Sequence, residues 1–286
     1  MTKRIDGKGG FVNKSVANML KTNHLVLVLI LFLLASHAAA QKVETGFLDR
    51  AVVINGEEFR YQVYVPREFR RSVKWPVILA LHGGGSYGSD GIRQTAGDGG
   101  VAGIIRRYPE RIPAIVVFPQ AHADGTPGWQ RTGGQAAMAA VDNAIKEFNG
   151  DRSRIYLTGL SAGGNGAWYL ASHYPDRFAA VVVVCGFIFE FRGKTSSVFY
   201  PALEPASEKD PYAAVAKKVE RLPIWIFHGD ADQSVSVEES RKMAAALKVI
   251  GANVQYTEVP GVGHDVWNVT YDRAELFEWL LKQRRH

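Results

Sequence analysis

The chain of 286 residues is 47% apolar and 22% charged, with 29 Gly, 12 Pro and a formal charge of +6. That is globular composition, too apolar for a disordered chain and too poor in Gly and Pro for a fibrous one. A single cysteine excludes a disulfide scaffold and any Cys-rich zinc or iron–sulfur site.

The basic excess suggests a nucleic-acid partner only until it is located. Residues 1–40 hold Lys3, Arg4, Lys8, Lys14 and Lys21 against Asp6; removing these five and one from totals of 34 and 28 leaves 29 basic and 27 acidic residues downstream. Past the leader, basic residues form only short pairs such as Arg106-Arg107 and Lys217-Lys218, so no nucleic-acid binding is expected. The leader carries ten consecutive apolar residues, Leu25 to Leu34, then Ala35-Ser36-His37-Ala38-Ala39-Ala40. A basic region, a short apolar core and a small-residue end read as a secretory signal peptide cleaved after Ala40. Ten residues rise about 15 Å in a helix, half a bilayer core, so membrane contact is expected only during export. Met19, directly ahead of the apolar core, is a natural alternative start. The expected mature protein is secreted or periplasmic, 246 residues from Gln41 to His286, a length that suits one α/β domain.

Ala51–Ile54 and Phe59–Val65 read as strands joined by Asn55-Gly56, a strong hairpin signal. Pro76–Leu81, Ile112–Phe118, Arg154–Thr158, Ala179–Cys185, Leu222–His228 and Val254–Val259 are further strand candidates. Most are unbroken apolar runs, as a strand buried on both faces requires. Between them Gln135–Phe148, Gly163–Tyr174, Glu238–Ile250 and Tyr271–Lys282 repeat apolar residues at three- and four-residue spacing, the helical period. The alternation predicts an α/β fold: an antiparallel hairpin, then about six parallel strands in a twisted sheet with helices on both faces. Gly186–Arg221, rich in aromatics and proline, breaks the rhythm and is expected to be a cap-like insertion.

Gly159-Leu160-Ser161-Ala162-Gly163 lies between a predicted strand and a predicted helix. A serine on that turn is forced into strained geometry at a helix N-terminus, the setting of an activated nucleophile. Serine needs a base, and the base needs an orienting acid. Of the histidines after the leader, only His264 follows both the serine and an acid and sits in a glycine loop at a strand's carboxyl end, the edge where ligands bind in open α/β sheets. His82 and His228 each end a strand and are expected to brace loops. Asp230 and Asp232 both follow the intervening strand; spacing leans to Asp232, which reaches further into the loop, and Asp265 is a poor third. The tetrahedral intermediate needs two N–H donors. One is expected from Ala162 and one from the glycine loop His82-Gly83-Gly84-Gly85. Trp129, Trp267 and Phe187 are candidates to line a substrate cleft, with core packing as the equal alternative.

LHGGG at 81–85, GLSAGG at 159–164, HGDADQSV at 228–235 and GVGHDVW at 261–267 together resemble an α/β-hydrolase. More narrowly, they resemble secreted esterases of the phospholipase/carboxylesterase and feruloyl-esterase type, also described as prolyl-oligopeptidase-like hydrolases. The resemblance spans about residues 45–285. It implies Asp232 as the acid, fifth in an HGxxD pattern, and Gly84 as the second oxyanion donor. It further implies a serine esterase whose substrate is a small-molecule or polysaccharide-linked ester, such as a feruloyl or acetyl ester. Peptidase and polyesterase activity on the same fold are alternatives. The chemistry requires neither metal nor organic cofactor, and oligomeric state is left open.

Overall fold

Asn55 and Gly56 hold positive φ angles of 51° and 86°, as a two-residue turn requires if it is to follow the right-handed twist of its strands. They fold β1 (Gly46–Ile54) back on β2 (Glu57–Val65) in antiparallel register, with Ile54 opposite Glu57 and Gly46 opposite Val65. The computed structural model describes residues 44–122, 128–188, 190–191, 194–195 and 210–285. The expected leader and its cleavage point at Ala40 lie outside the described residues, as do Phe189, Phe199 and Tyr200 of the aromatic insertion.

The later strands are β3 (Trp75–Leu81), β4 (Ile115–Pro119), β5 (Gly150–Leu160), β6 (Ala180–Val184), the two-residue pair β7 (Glu190–Phe191) and β8 (Lys194–Thr195), β9 (Ile224–Gly229) and β10 (Val254–Val259). Eight of the described strands form one sheet in the order β1-β2-β4-β3-β5-β6-β9-β10. β2 pairs antiparallel with both β1 and β4, and every pairing from β4 to β10 is parallel. β3 has β4 on one side and β5 on the other, so the strand order changes direction there. The carboxyl edge of β3 and β5 is therefore the switch point at which ligands bind in open sheets.

Helices α1 (Arg93–Ala96), α2 (Gly100–Arg107), α3 (Arg131–Glu147), α4 (Ala162–His173), α5 (Pro211–Val219), α6 (Val237–Val249), α7 (Trp267–Tyr271) and α8 (Ala274–Lys282) surround the sheet. Ile78, Val116, Tyr156, Val182 and Phe227 pack into one core with Ile104 of α2 and Phe277 of α8. Because strand residues alternate between faces, Val77, Leu79, Val117 and Leu157, equally buried, point the other way, toward α3 and α4. Both faces are covered, which is why β4 and β6 consist wholly of buried residues.

Three stretches of the chain depart from the expected pattern. The predicted helix over 271–282 is two, α7 and α8, broken at Asp272-Arg273. α1 and α2 were not evident in a stretch carrying Gly97, Gly99, Gly100 and Gly103, residues that weaken helix propensity. α5 lies inside the segment read as an insertion; Asp210 caps it by accepting the N–H groups of Tyr212 and Ala213, and Pro211 occupies its first turn. Asp followed by Pro is a helix-start signal that the aromatic composition obscured.

Candidate active site

Ser161 ends the turn from β5 into α4 with φ 54° and ψ −118°, a region that a non-glycine residue occupies at a cost of about 1–3 kcal/mol. The surrounding structure holds it there. Ser161 N–H donates to the Val184 carbonyl at 2.9 Å, and its own carbonyl accepts Asn165 N–H at 3.0 Å. The flanking glycines are required by close approach: a Cβ on Gly159 would meet the Gly163 carbonyl oxygen at 2.0 Å, and one on Gly163 would meet the Leu81 oxygen at 2.3 Å. The G-x-S-x-G spacing thus seats the serine against β3.

His264 reaches the serine from the loop after β10. Its Nε2 lies 2.9 Å from Ser161 Oγ and its Nδ1 2.7 Å from Asp232 Oδ2. The structure brings Asp232, not Asp230, to the imidazole. Asp230 Oδ1 instead accepts Gly261 N–H at 2.6 Å, tying the loop after β9 to the His264 loop. Asp265 is exposed. Of the expected residues, Ser161, His264 and Asp232 therefore form one hydrogen-bonded chain from a nearly buried hydroxyl to a buried carboxylate.

The carboxylate is unusually well supplied with donors. Burial works to raise the Asp232 pKa, but hydrogen bonds from His228, His264 and the N–H groups of Val235 and Ser234 outweigh it and hold the carboxyl well below the usual range. His228 was expected only to brace a loop. Its Nε2 lies 3.2 Å from Asp232 Oδ2 and 3.1 Å from the Val235 carbonyl, and its Nδ1 lies 2.7 Å from Ser240 Oγ. Since a carbonyl only accepts, Nε2 carries a proton, while Nδ1 pairs with the Ser240 hydroxyl. The sequence signal was the strand-terminal His four residues before the acid.

Gly84 opens the turn Gly84–Ser86, and Ala162 is the first residue of α4. The N–H groups of both make no hydrogen bond among the described residues. The glycine loop beside them is fixed by His82, whose Nδ1–H donates to the Gly83 carbonyl at 2.7 Å while Nε2 accepts Ala121 N–H at 3.0 Å. Burial drives the His82 pKa down to about 4, against the opposing hydrogen bond to Gly83, so its ring is neutral.

A cavity of about 480 Å³ opens on Ser161 and His264, lined by Gly84, Gln94, Phe118, Leu160, Trp267 and Tyr271 among others. Trp267 sits edge-on to the His264 ring, centroids 5.4 Å apart. The other two cleft candidates are corrected. Trp129, 2% exposed, lies beneath the glycine loop: its Nε1–H donates to the His82 carbonyl at 3.2 Å, and a Cβ on Gly166 would meet its Cβ at 2.5 Å. Phe187 is buried, with its carbonyl accepting Asn165 Nδ2 at 2.9 Å. Both are packing residues, and neither lines the cavity. Gln94, Phe118 and Tyr271 do line it and carried no sequence signal, because only the fold brings them to this edge.

Cys185 Sγ, Asp232 and His264 offer atoms within 4.8 Å of one another. The thiol is a poor metal ligand there, since burial holds its pKa well above the usual value and it donates to the His264 carbonyl at 3.5 Å. No helix among the described residues is long and apolar enough to cross a membrane.

Residues 125–285, more than half of the chain, match the family described as the prolyl oligopeptidase family. An uncharacterized secreted protein of Arthroderma benhamiae is 30% identical over 213 residues, 68% of this chain and 22% of that protein. Acetylxylan esterase A of Emericella nidulans is 25% identical over 229 residues, 61% of this chain and 72% of the enzyme. The crystal structure of a thermostable esterase superposes with a TM-score of 0.69 at 29% identity, covering 84% of this chain and 63% of that one. This chain is thus far shorter than the secreted relative and closer in length to the two esterases. With its mostly parallel sheet, antiparallel first hairpin and strand–serine–helix turn, the chain belongs to the prolyl oligopeptidase family of α/β-hydrolases.

Proposed function

We propose that this protein is a secreted serine hydrolase that cleaves carboxylic esters, with acyl esters of polysaccharides, such as acetyl or feruloyl esters, as its substrate class. One observation carries the reading: the hydrogen-bonded chain Ser161–His264–Asp232 faces a cavity flanked by the N–H groups of Gly84 and Ala162, which are unpaired among the described residues. Ser161 Oγ attacks the ester carbonyl carbon as its proton passes to His264 Nε2. Asp232 keeps the Nδ1 proton in place and stabilises the imidazolium. The oxyanion accepts the N–H groups of Gly84 and Ala162. The bond to the alcohol oxygen then breaks, His264 protonates the departing alkoxide, and water repeats the sequence to release the acid and restore Ser161. Nothing in this route calls for a metal or organic cofactor.

Export is part of the same reading. It rests on the leader of residues 1–40, and the likeness to a protein named as secreted supports it. The acetylxylan esterase relative supports the polysaccharide substrate class. A peptidase is the second reading, favoured by the family match itself; the same serine and base would serve an amide. A panel of p-nitrophenyl acetate, methyl ferulate, acetylated xylan and a proline-containing peptide anilide tests both readings. Turnover of esters with negligible anilide cleavage is expected, and the reverse order establishes the peptidase.

A further inference from the structure

Arg93 puts a fixed positive charge in the wall of the candidate site. Of the described residues that line the cavity with Ser161 and His264, it alone is a lysine, arginine, aspartate or glutamate. Its guanidinium is held on one side: Nε pairs with Asp90 Oδ2 at 3.1 Å, while Nη1 and Nη2 make no hydrogen bond to the described residues. The side chain is 64% exposed, so a molecule in the cavity can reach it. The backbone beneath it is fixed. Asp90 Oδ1 accepts the N–H groups of Ile92 and Arg93 at 2.8 and 3.1 Å, together with Gln120 Nε2 at 3.0 Å. Arg106 donates to the carbonyls of Thr95 and Gly97, just past Arg93. One carboxylate thus anchors both the backbone and the guanidinium of Arg93, and leaves the outer edge of the fork open.

The chemistry of that edge limits what binds it. Two coplanar NH2 groups match a carboxylate, which accepts two parallel charge-assisted hydrogen bonds. A neutral substituent of the same shape brings no charge to pair, and no carboxylate in the described lining repels an anion. We propose that Arg93 is a specificity-determining residue that binds a carboxylate carried by the ester substrate. This rests on the ester-hydrolase reading and narrows its substrate to anionic esters. The carboxylate belongs either to the acyl group, as in a monoester of a dicarboxylic acid, or to the alcohol side, as on a uronic-acid sugar. The opposing account is an exposed ion pair three residues apart on the chain, which contributes little and confers no preference between substrates.

Two matched pairs test it, each setting a carboxylate against the carboxamide of the same shape. Monomethyl glutarate and methyl glutaramate probe the acyl side; 4-acetoxybenzoate and 4-acetoxybenzamide probe the alcohol side. The readout is kcat/KM for the anion over that for the amide, compared between the native enzyme and Arg93→Met. In at least one pair the native ratio should exceed the variant's by about fivefold or more, the effect of a charge-assisted bond at an exposed site. The pair that responds identifies which side carries the carboxylate. Arg93→Lys should fall between the two, since it keeps the charge and loses the planar fork. The native ratio should also shrink toward the variant's as NaCl rises from about 0.05 M to about 0.5 M, because exposed charges are screened. Each ratio is read within one protein, so a loss of turnover common to both esters cancels, as does their difference in intrinsic reactivity once the two ratios are compared. Equal ratios for the native enzyme and Arg93→Met in both pairs overturn the proposal while leaving ester hydrolysis intact. Failure to turn over any of the four esters, together with failure of a fluorophosphonate to label Ser161, overturns the ester reading and this proposal with it.

Discussion

His228 and Asp232 face each other with both side chains fully buried, His228 Nε2 3.2 Å from Asp232 Oδ2. The same carboxylate oxygen receives His264 Nδ1 at 2.7 Å. Two histidines therefore hold one acid, one reaching toward the nucleophile and the other anchored through Ser240 and Val235 to the start of α6. His228 is thus expected to act through Asp232, as a positioning residue.

His228→Leu should lower kcat about tenfold and leave KM nearly unchanged, because the lost interaction orients the triad and does not touch substrate. It should also raise the pH at which the Asp232 carboxyl, now held below the usual range partly by His228, takes up a proton, because it loses one donor; carboxyl titration followed by NMR checks this. His228→Gln, which retains an N–H, should restore part of both effects. A residue serving stability alone lowers the unfolding midpoint without lowering kcat in the folded enzyme.

Ser161 is strained, and the strain is separable from its chemistry. Glycine tolerates φ 54° and ψ −118° at little cost. Ser161→Gly should therefore abolish ester turnover while raising stability by about 1–2 kcal/mol in urea unfolding. Ser161→Ala should lose on the order of 10⁴-fold or more in kcat without that gain, since alanine keeps the Cβ.

His82 makes the fold sensitive to acid. Burial lowers its pKa from 6.5 to about 4, so between these values the unfolded chain binds a proton that the folded protein refuses. Stability then falls as pH drops through this window, by about 3 kcal/mol in total, and is retained in full above it. Protonation would also remove the Nε2 lone pair that accepts Ala121 N–H. Urea melts from pH 7 to 4 should show the decline, and His82→Gln should flatten it.

Much of this arrangement was legible in the sequence, for physical reasons particular to each element. Asn55-Gly56 fixed the hairpin because few residue pairs tolerate two positive φ angles, and the apolar runs of β3 and β6 marked strands covered on both faces. The turn at Ser161 was legible because close approach requires Gly159 and Gly163, and the loop at His264 because Gly261 holds a positive φ of 72°. Asp232 was ambiguous by spacing alone: Asp230 sits in the same loop, and only the path of the chain after β10 assigns one to His264 and the other to Gly261. Trp129 and Phe187 stayed open between cleft and core because an aromatic near a glycine loop serves either; the structure buries both. Gln94, Phe118 and Tyr271 were invisible, since only the fold brings them to the cavity.

A buried acid ties the chain after β6 to the start of α5. Glu239, 2% exposed, accepts Ile188 N–H at 2.6 Å and the Tyr212 hydroxyl at 2.7 Å. It joins the chain just after β6 and the first turn of α5 to α6. Glu239→Ala leaves two buried donors without this partner and should cost about 2–4 kcal/mol in denaturant unfolding. Glu239→Gln, which keeps one acceptor, should cost less.

The most direct measurement is covalent labelling of the protein with a fluorophosphonate, followed by peptide mapping. A serine made nucleophilic by His264 should take up one equivalent at Ser161, with ester turnover lost in proportion to label incorporated. His264→Ala should label far more slowly, and Ser161→Ala should not label at that peptide. Label at another residue, or undiminished turnover after Ser161 is fully modified, contradicts a Ser161–His264–Asp232 hydrolase.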